Sequence, residues 1–474
     1  MKKLKFALHT VAACAIAALT VACSSDENSN NPVEVTLTVY QPGNEPATRL
    51  GFDSKGNAYW QTSDAIGVWS KGEGKFNSFD IASGAGEGTA TFSGTVSGGV
   101  GEYAVYPYNE NHSLSGSQLT YSLPDNYTYD KVGQTVLTDK DGNNFYTPMF
   151  GKVNGNEITF KHLGGVICLK IDKMPAESGT VKVTEVSNRL CGTFTTNLSD
   201  EAPEIKTEAA EEGKTVTFTY SNATVDGVGV FYLPVATGTY NLTIEVAGGI
   251  KLSSTTATAE MTRAKAKVVK VTTDYEYVIN GHKFIDLGLP SGLLWAETNV
   301  GAETATDYGN YYAWGETETK TSFSWDTYEL GKTSTSLTKY NSKDKKTVLE
   351  SEDDVASVKW SPLCRIPTQA EFAELYNANN CTLTWTSKTT SSKETVSGYT
   401  VKSKKNGNSI FIPTSGYKKA DTYVNNGNGF YWSSTLISDD TANAYFFLIT
   451  KDKYNNEGKG ARFWGRTVRP VAQP

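Results

Sequence analysis

The chain has 474 residues, enough for roughly three domains at about 100–200 residues each. Its 51 acids outnumber 44 bases for a net charge of −7, and without the first 22 residues, which hold three lysines and no acid, 41 bases face 51 acids. That surplus argues against a nucleic-acid groove and against adsorption to anionic lipid, since both need a basic surface. At 38% hydrophobic and 20% charged residues the chain is a folded one. Abundant glycine (43) and tyrosine (26) favour β structure joined by glycine turns, and four histidines leave little for histidine-based catalysis.

Residues 1–22 read as a secretion signal: Lys2, Lys3 and Lys5 form a basic start and Val11–Leu19 an apolar run of nine. That run is shorter than the roughly 20 residues a membrane-spanning helix needs. Leu19-Thr20-Val21-Ala22-Cys23 resembles a bacterial lipoprotein cleavage site, with a small residue before a cysteine that becomes acylated. Cys23 is thus the candidate lipidation residue and outer-membrane lipid its partner; each buried CH₂ adds about 0.8 kcal/mol of anchoring. The other reading is ordinary cleavage with a free Cys23 thiol. Residues 23–33 are a polar tether, and the pair Asp26-Glu27 is similar to the surface-export signal of Bacteroidetes lipoproteins.

Between residues 34 and 272, short alternating or apolar runs recur between glycine turns, among them Val35–Tyr40, Ala65–Trp69, Glu102–Tyr108, Thr180–Val186 and Thr239–Val246. This texture predicts β sandwiches, one over 34–162 and a second over 163–273, divided where Phe160-Lys161-His162-Leu163-Gly164-Gly165 opens a new strand. Residues 274–474 differ, for seven of the nine tryptophans lie there, which marks a separate core. Thr368-Gln369-Ala370-Glu371 has the form of a capping box ahead of Phe372, Leu375 and Tyr376 at helical spacing, and Ser351–Trp360 reads as a second short helix capped by Ser351. Once Cys14 and Cys23 are set aside, Cys168, Cys191, Cys364 and Cys381 allow three pairings or serve as small buried residues. No spacing suggests zinc.

The first two regions resemble the fimbrillin-like family of Bacteroidetes surface proteins. The likeness is carried by Thr48-Arg49, Trp60, Asp64-Ala65-Ile66-Gly67-Val68-Trp69, Tyr103-Ala104-Val105-Tyr106-Pro107, Phe160–Gly165 and Phe231-Tyr232-Leu233-Pro234-Val235. The resemblance implies two transthyretin-like β sandwiches, pilus subunits as partners, and assembly in which a strand of one subunit fills a groove in the next. Arg49 sits where a trypsin-like cut would release an N-terminal strand; the bland reading is an exposed arginine.

The last region resembles the Fibrobacter succinogenes major paralogous domain, a relative of the C-type lectin fold. The match runs through Phe284-Ile285-Asp286-Leu287-Gly288-Leu289-Pro290-Ser291-Gly292-Leu293-Leu294-Trp295-Ala296, Tyr308-Gly309-Asn310-Tyr311-Tyr312-Ala313-Trp314-Gly315-Glu316, Arg365-Ile366-Pro367-Thr368, Tyr431-Trp432-Ser433-Ser434 and Gly465-Arg466-Thr467-Val468-Arg469-Pro470. Two departures are Glu297-Thr298 in place of a Thr-Cys pair and Cys364 in place of tryptophan. A disulfide to Cys381 implied by the family is then lost or re-made from Cys364.

Aromatic faces stack on sugar rings, but large rings also fill loop-rich cores. Trp295, Trp314 and Trp432 read as core, whereas Trp325, Trp385 and Tyr423 stand in polar surroundings and are the candidate ligand-binding residues. Asp139-Lys140-Asp141-Gly142-Asn143 has alternate oxygen ligands, yet its twelfth position is Phe150 where an EF-hand needs Glu, so it reads as a glycine turn and no metal is expected. There is no GxSxG, HExxH or phosphate loop, and His112, His162 and His282 lie far apart along the chain, so no catalytic residue and no cofactor is expected. The sequence therefore reads as mainly β: two transthyretin-like sandwiches followed by an α+β C-type-lectin-like domain. The function read from it is a lipid-anchored, surface-exposed adhesin or recognition protein without enzymatic activity, its partner a glycan or a host or cell-surface ligand. The alternatives are a pilus subunit or anchor assembled by strand exchange, and a glycan-capture lipoprotein.

Overall fold

Alternating burial shapes the first strands. In Val33–Tyr40, Leu37 and Val39 are buried while their neighbours face outward. In this computed structural model the described residues are 31–41, 60–130, 132, 147–390, 394–424 and 427–474. Cys23, Arg49 and the Asp139–Asn143 loop lie outside them. The described residues are mainly β, with two short α-helices, and gather into two units. One takes the described residues up to 122 together with 147–165 and 193–206; the other takes 123–130, 132, 166–192 and those from 207 onward. These units do not follow the three-part division at 162 and 273 read from the sequence, because strands pair with partners far along the chain. Among the described residues no helix is long and apolar enough to cross a membrane.

In the first unit the hydrogen-bond ladder closes on itself through seven strands, in the order Val33–Tyr40, Glu157–His162, Met149–Asn154, Val100–Tyr106, Ala65–Ser70, Lys75–Ser83 and Thr89–Val96. Val33–Tyr40 closes it, running antiparallel to Thr89–Val96 over eight pairs and parallel to Glu157–His162 over three. Trp60 sits fully buried inside, with edge-on contacts to Phe92 (5.1 Å), Tyr106 (5.3 Å) and Phe160 (6.0 Å). Burial of each such ring contributes about 1.5–3 kcal/mol. Nearby, His112 stacks on Tyr121 at 4.1 Å and donates from Nε2 to the Ser122 carbonyl at 3.2 Å.

In the second unit a ten-stranded sheet runs Cys364–Arg365, Val471–Ala472, Leu294–Ala296, His282–Asp286, Glu276–Ile279, Lys251–Met261, Gly238–Gly248, Gly179–Glu185, Thr215–Tyr220, Asn126–Tyr129. Gly238–Gly248 and Lys251–Met261 pair over eleven residues. Gly229–Val235, Gly165–Ile171 and Ala266–Val271 form a second layer, and buried Ile167, Leu169, Val181, Phe218, Phe231 and Ile244 share the core. The sheet continues past residue 273: Lys251 pairs with Tyr277 and Leu252 with Glu276. Asn280 (φ 46°) and Gly281 (φ 80°) then turn the chain into His282–Asp286. That left-handed pair is what a two-residue hairpin connection requires.

Beyond lie the sheet Cys381–Thr389, Thr395–Ser403, Ser409–Pro413, the sheet Gly429–Leu436, Asn443–Ile449, Tyr454–Ala461, and the short hairpin Tyr417–Lys419, Thr422–Val424. The helix Gln369–Tyr376 carries the expected capping box, with Thr368 and Glu371 reciprocating. The other helix starts later than the sequence suggests. Ser351–Asp353 is a 3₁₀ turn, and Asp354 caps Val355–Lys359, its carboxylate accepting from Ala356 N, Ser357 N and Ile366 N. Burial lifts that carboxyl to about 6.

Burial holds the His112 imidazole down at about 4, below its ordinary 6.5. The unfolded chain binds a proton on this ring below about 6.5 and the folded chain only near 4. Its contribution is therefore complete above pH 6.5 and is lost as pH falls through that window, by roughly 3 kcal/mol in all. Denaturation of the parent and of His112→Phe between pH 7.5 and 4.5 should show the variant gaining on the parent by about 2 kcal/mol toward the acid end. A constant difference across pH contradicts this.

Candidate ligand-binding face of the C-terminal region

Much of residues 297–350 is loop, and its carbonyls need donors. Three fully buried arginines from the end of the chain stand among them. Arg469 donates to Asn299 Oδ1 (2.7 Å) and to the Ala296 and Glu297 carbonyls (3.1 and 3.0 Å). Arg462 donates to Tyr328 Oη (2.8 Å), to the Tyr340 and Thr441 carbonyls from Nη1 (3.1 and 3.2 Å) and to the Lys339 carbonyl from Nη2 (3.1 Å), with its guanidinium 4.8 Å from the Trp314 ring. Arg466 is different. Its three guanidinium nitrogens have no hydrogen-bond partner among the described residues, and the group lies between Phe446 (3.8 Å) and Trp432 (4.2 Å). Burial pulls it down to about 9. Gly460 is required beside it, since a Cβ there would fall 2.3 Å from Arg466 Nη2.

Trp295, Trp314 and Trp432 are fully buried, as the core reading expects. Trp314 Nε1 donates to the Ser433 carbonyl and Trp432 Nε1 to the Tyr312 carbonyl, both at 2.8 Å. The candidate residues are placed differently. Trp385 is half-buried on the edge strand Cys381–Thr389, edge-on to Tyr399 at 5.1 Å, against a core that includes Tyr399, Val401 and Ile412. Trp325 opens a short 3₁₀ turn, 4.9 Å from Phe463 and 5.7 Å from Tyr328. Tyr423 is 40% exposed, edge-on to Tyr311 at 5.7 Å, and donates to the Ser415 carbonyl at 3.3 Å.

Backbone pairing ties the Trp325 loop to the hairpin that carries Tyr423, while the two rings keep separate partners. Phe323 and Ala420 exchange main-chain bonds (3.0 and 2.9 Å), joining the Trp325 loop to the hairpin tip, and Lys418 and Gly465 exchange another pair (2.7 and 2.9 Å), joining the hairpin to Phe463-Trp464. Trp385 belongs to the other core. The hairpin adds residues that sequence reasoning passed over. Tyr417 stacks on Trp464 at 5.3 Å, Lys419 lies 5.2 Å from the Trp464 ring, and Lys418 lies 5.2 Å from the Tyr311 ring. The signal was present as Tyr417-Lys418-Lys419 behind Gly416, an aromatic beside two cations on a two-sided strand.

Next to Tyr311 is an open hollow of about 400 Å³ lined by Gly309, Asn310, Tyr311, Thr319, Lys320, Thr321 and Lys418. Lys320 is bonded to the buried Glu316 carboxylate at 2.6 Å, and burial raises that carboxyl while Lys320 opposes the rise. The Tyr311 phenol is pushed well above its ordinary range by burial and by the neighbouring Tyr423 phenol. The surface offers flat rings, amide and hydroxyl groups and ammonium donors, a set suited to binding polar ring compounds.

Glu350, Glu352 and Asp353 bring carboxylate oxygens within 4.8 Å of one another. The Lys339 ammonium bonds all three, at 2.9 Å to Glu350, 3.0 Å to Glu352 and closely to Asp353, so the protein's own cation balances the cluster and the donors do not fit a metal. Cys168, Cys191, Cys364 and Cys381 are all free thiols, so none of the three pairings is made and the disulfide to Cys381 is not re-made from Cys364. Burial pushes the Cys191, Cys364 and Cys381 thiols up to about 11. His162 bonds Thr147 at 3.0 Å, and His282 stacks on Trp360 at 3.8 Å.

No family model and no curated protein matches the chain. Among solved structures, a putative cell adhesion protein from Bacteroides ovatus is 13% identical, covering 52% of this chain and 99% of its own, with a TM-score of 0.32. A fimbrial protein from Bacteroides ovatus is 12% identical over 94% of this chain and 100% of its own, with a TM-score of 0.25. The tip fimbrial protein of Porphyromonas gingivalis is 11% identical over 52% of this chain and 98% of its own, with a TM-score of 0.24. At this level of overlap the architecture rests on its own ladders and cores.

Arg462 and Arg466 should respond in opposite ways to the same substitution. Arg462→Met leaves three carbonyls and a phenol without their donor and should cost about 3–5 kcal/mol. Arg466→Met replaces a desolvated, unpaired cation by an apolar chain of similar length and should be neutral or stabilising, by up to about 3 kcal/mol. Urea titrations followed by tryptophan fluorescence measure both; equal losses would refute the distinction.

Proposed function

We propose that this protein is a non-catalytic adhesin or recognition protein, held to the outer membrane by lipid on Cys23 and displayed at the cell surface, whose C-terminal lectin-like region binds a saccharide. The carrying observation is the aromatic pair Tyr311 and Tyr423 beside the polar hollow at Asn310 and Lys418. Sugar rings present a C–H face to aromatic rings and hydroxyls to amide, hydroxyl and ammonium groups, which this surface combines. Tyr311 and Tyr423 are the proposed stacking residues and Trp325 the flank, with Trp385 outside the site.

A second reading, the pilus subunit, draws on the first unit. Val33–Tyr40 fills the ladder between Thr89–Val96 and Glu157–His162, and Arg49 follows it in sequence. A cut after Arg49 that freed this strand would leave two strand edges unpaired, ready for a strand from another copy.

A glycan array probed with the full chain, Ser24 to Pro474, tests the first reading. The isolated region 274–474 is unsuitable because it would lose the pairing of Tyr277 with Lys251. Binding to a defined saccharide group, reduced about five- to thirtyfold in Tyr423→Ala, is expected, since loss of a stacked ring removes about 1–2 kcal/mol. Silence on the array, with ladders of subunits on gels, favours the pilus reading. Cys23→Ala should move the protein from the membrane fraction to the soluble fraction of cell extracts; retention in the membrane would defeat the anchor.

A further inference from the structure

We infer that the saccharide taken by this hollow is anionic, carrying a carboxylate or a sulfate that pairs with Lys418. This rests on the saccharide reading above and narrows it to a ligand class.

The lining supplies two ammonium groups, from Lys320 and Lys418, the Asn310 amide and the Thr319 and Thr321 hydroxyls, and no carboxylate, while the Tyr311 phenol gives its proton to the Ser415 carbonyl. The two lysines differ. Lys320 is committed to Glu316 at 2.6 Å and to the Thr327 carbonyl at 3.0 Å, so its charge is already answered. Lys418 is half-buried and lies over the Tyr311 ring at 5.2 Å; among the described residues no carboxylate comes within 4.0 Å of its ammonium. Asp421, three residues on in the same hairpin, is exposed.

A single ring face contributes only about 0.5–2 kcal/mol to a cation, less than a charge-assisted hydrogen bond to an anion. A neutral sugar stacked on Tyr311 and Tyr423 would push water away from Lys418 and give it only hydroxyl partners. An acidic sugar places an oxyanion there and removes that cost. The location is unusual in a chain of net charge −7, whose overall field repels anions, so attraction here must come from short-range pairing. Lys419 is adjacent but lies over the Trp464 ring at 5.2 Å, so it belongs to the opposite side of the strand.

The full chain, Ser24 to Pro474, is titrated with N-acetyllactosamine, its sialylated and sulfated forms, and a uronic-acid oligomer, at two salt concentrations. The acidic forms should bind at least about tenfold tighter than the neutral one, and that preference should shrink as salt rises. Lys418→Gln should abolish the preference, Lys418→Arg should keep it and Lys419→Gln should leave it intact. Equal binding of neutral and acidic forms, or a preference that survives Lys418→Gln, overturns the inference while leaving saccharide binding in place. No binding of any of these probes, together with silence on the array, removes both.

Discussion

A loop-rich core has a hydrogen-bond deficit, and in this protein buried arginine supplies it. Strands and helices satisfy their own carbonyls, but the segments 297–350 and 437–442 run largely without ladders. Arg462 and Arg469 reach four of those carbonyls, the neighbouring Ala296 carbonyl, a phenol and an amide oxygen from within the core. The rings of Trp314, Tyr328 and Tyr340 pack around the Arg462 charge, so the same residues that exclude water also soften the penalty of burying a cation. Every feature of the candidate face, from the Tyr311 loop to the hairpin at Tyr417, is pinned to this frame through Trp314, Tyr312 and Gly465.

The frame is in turn continuous with the second sheet. Two residue pairs, Lys251 with Tyr277 and Leu252 with Glu276, make one ladder from Asn126–Tyr129 to Cys364–Arg365. Turning the C-terminal region against that sheet means breaking main-chain bonds rather than bending a linker. The proposed binding surface, mounted this way, would keep its orientation under load.

Part of this was legible in the sequence. Alternation predicts Val35–Tyr40, Ala65–Trp69 and Thr180–Val186, because a half-buried strand must show every second residue to the core, and these fold as Val33–Tyr40, Ala65–Ser70 and Gly179–Glu185. The Thr368–Glu371 box gave its helix, and the motif tryptophans were read as core. What escaped was pairing at long range. Nothing local says that Asn126–Tyr129 joins Thr215–Tyr220 or that Val33–Tyr40 lies parallel to Glu157–His162. Ser351 reads as a cap because the acids Glu352, Asp353 and Asp354 follow it, but Asp354 can reach Ile366 N as well and wins the helix start. Asn280-Gly281 was readable as a hairpin turn and passed unnoticed, although it carries the sheet across the expected boundary. Trp385 stands apart from the other two candidates, for its edge strand is polar on one side while its ring packs on Tyr399. Lys418 was invisible because its meaning depends on Tyr311, more than a hundred residues earlier in the chain.

The stretch from Arg462 to Ala472 has an effect on the order of events during folding. Arg462, Arg466, Arg469 and the strand Val471–Ala472 lie within eleven residues, and that strand is the bridge between Leu294–Ala296 and Cys364–Arg365. Both of the strand's pairings join positions about a hundred residues or more apart, so the loop entropy has to be overcome before either of them forms. The local hairpins therefore close early, and the tryptophan-rich core is the late, slow step, waiting on one short keystone.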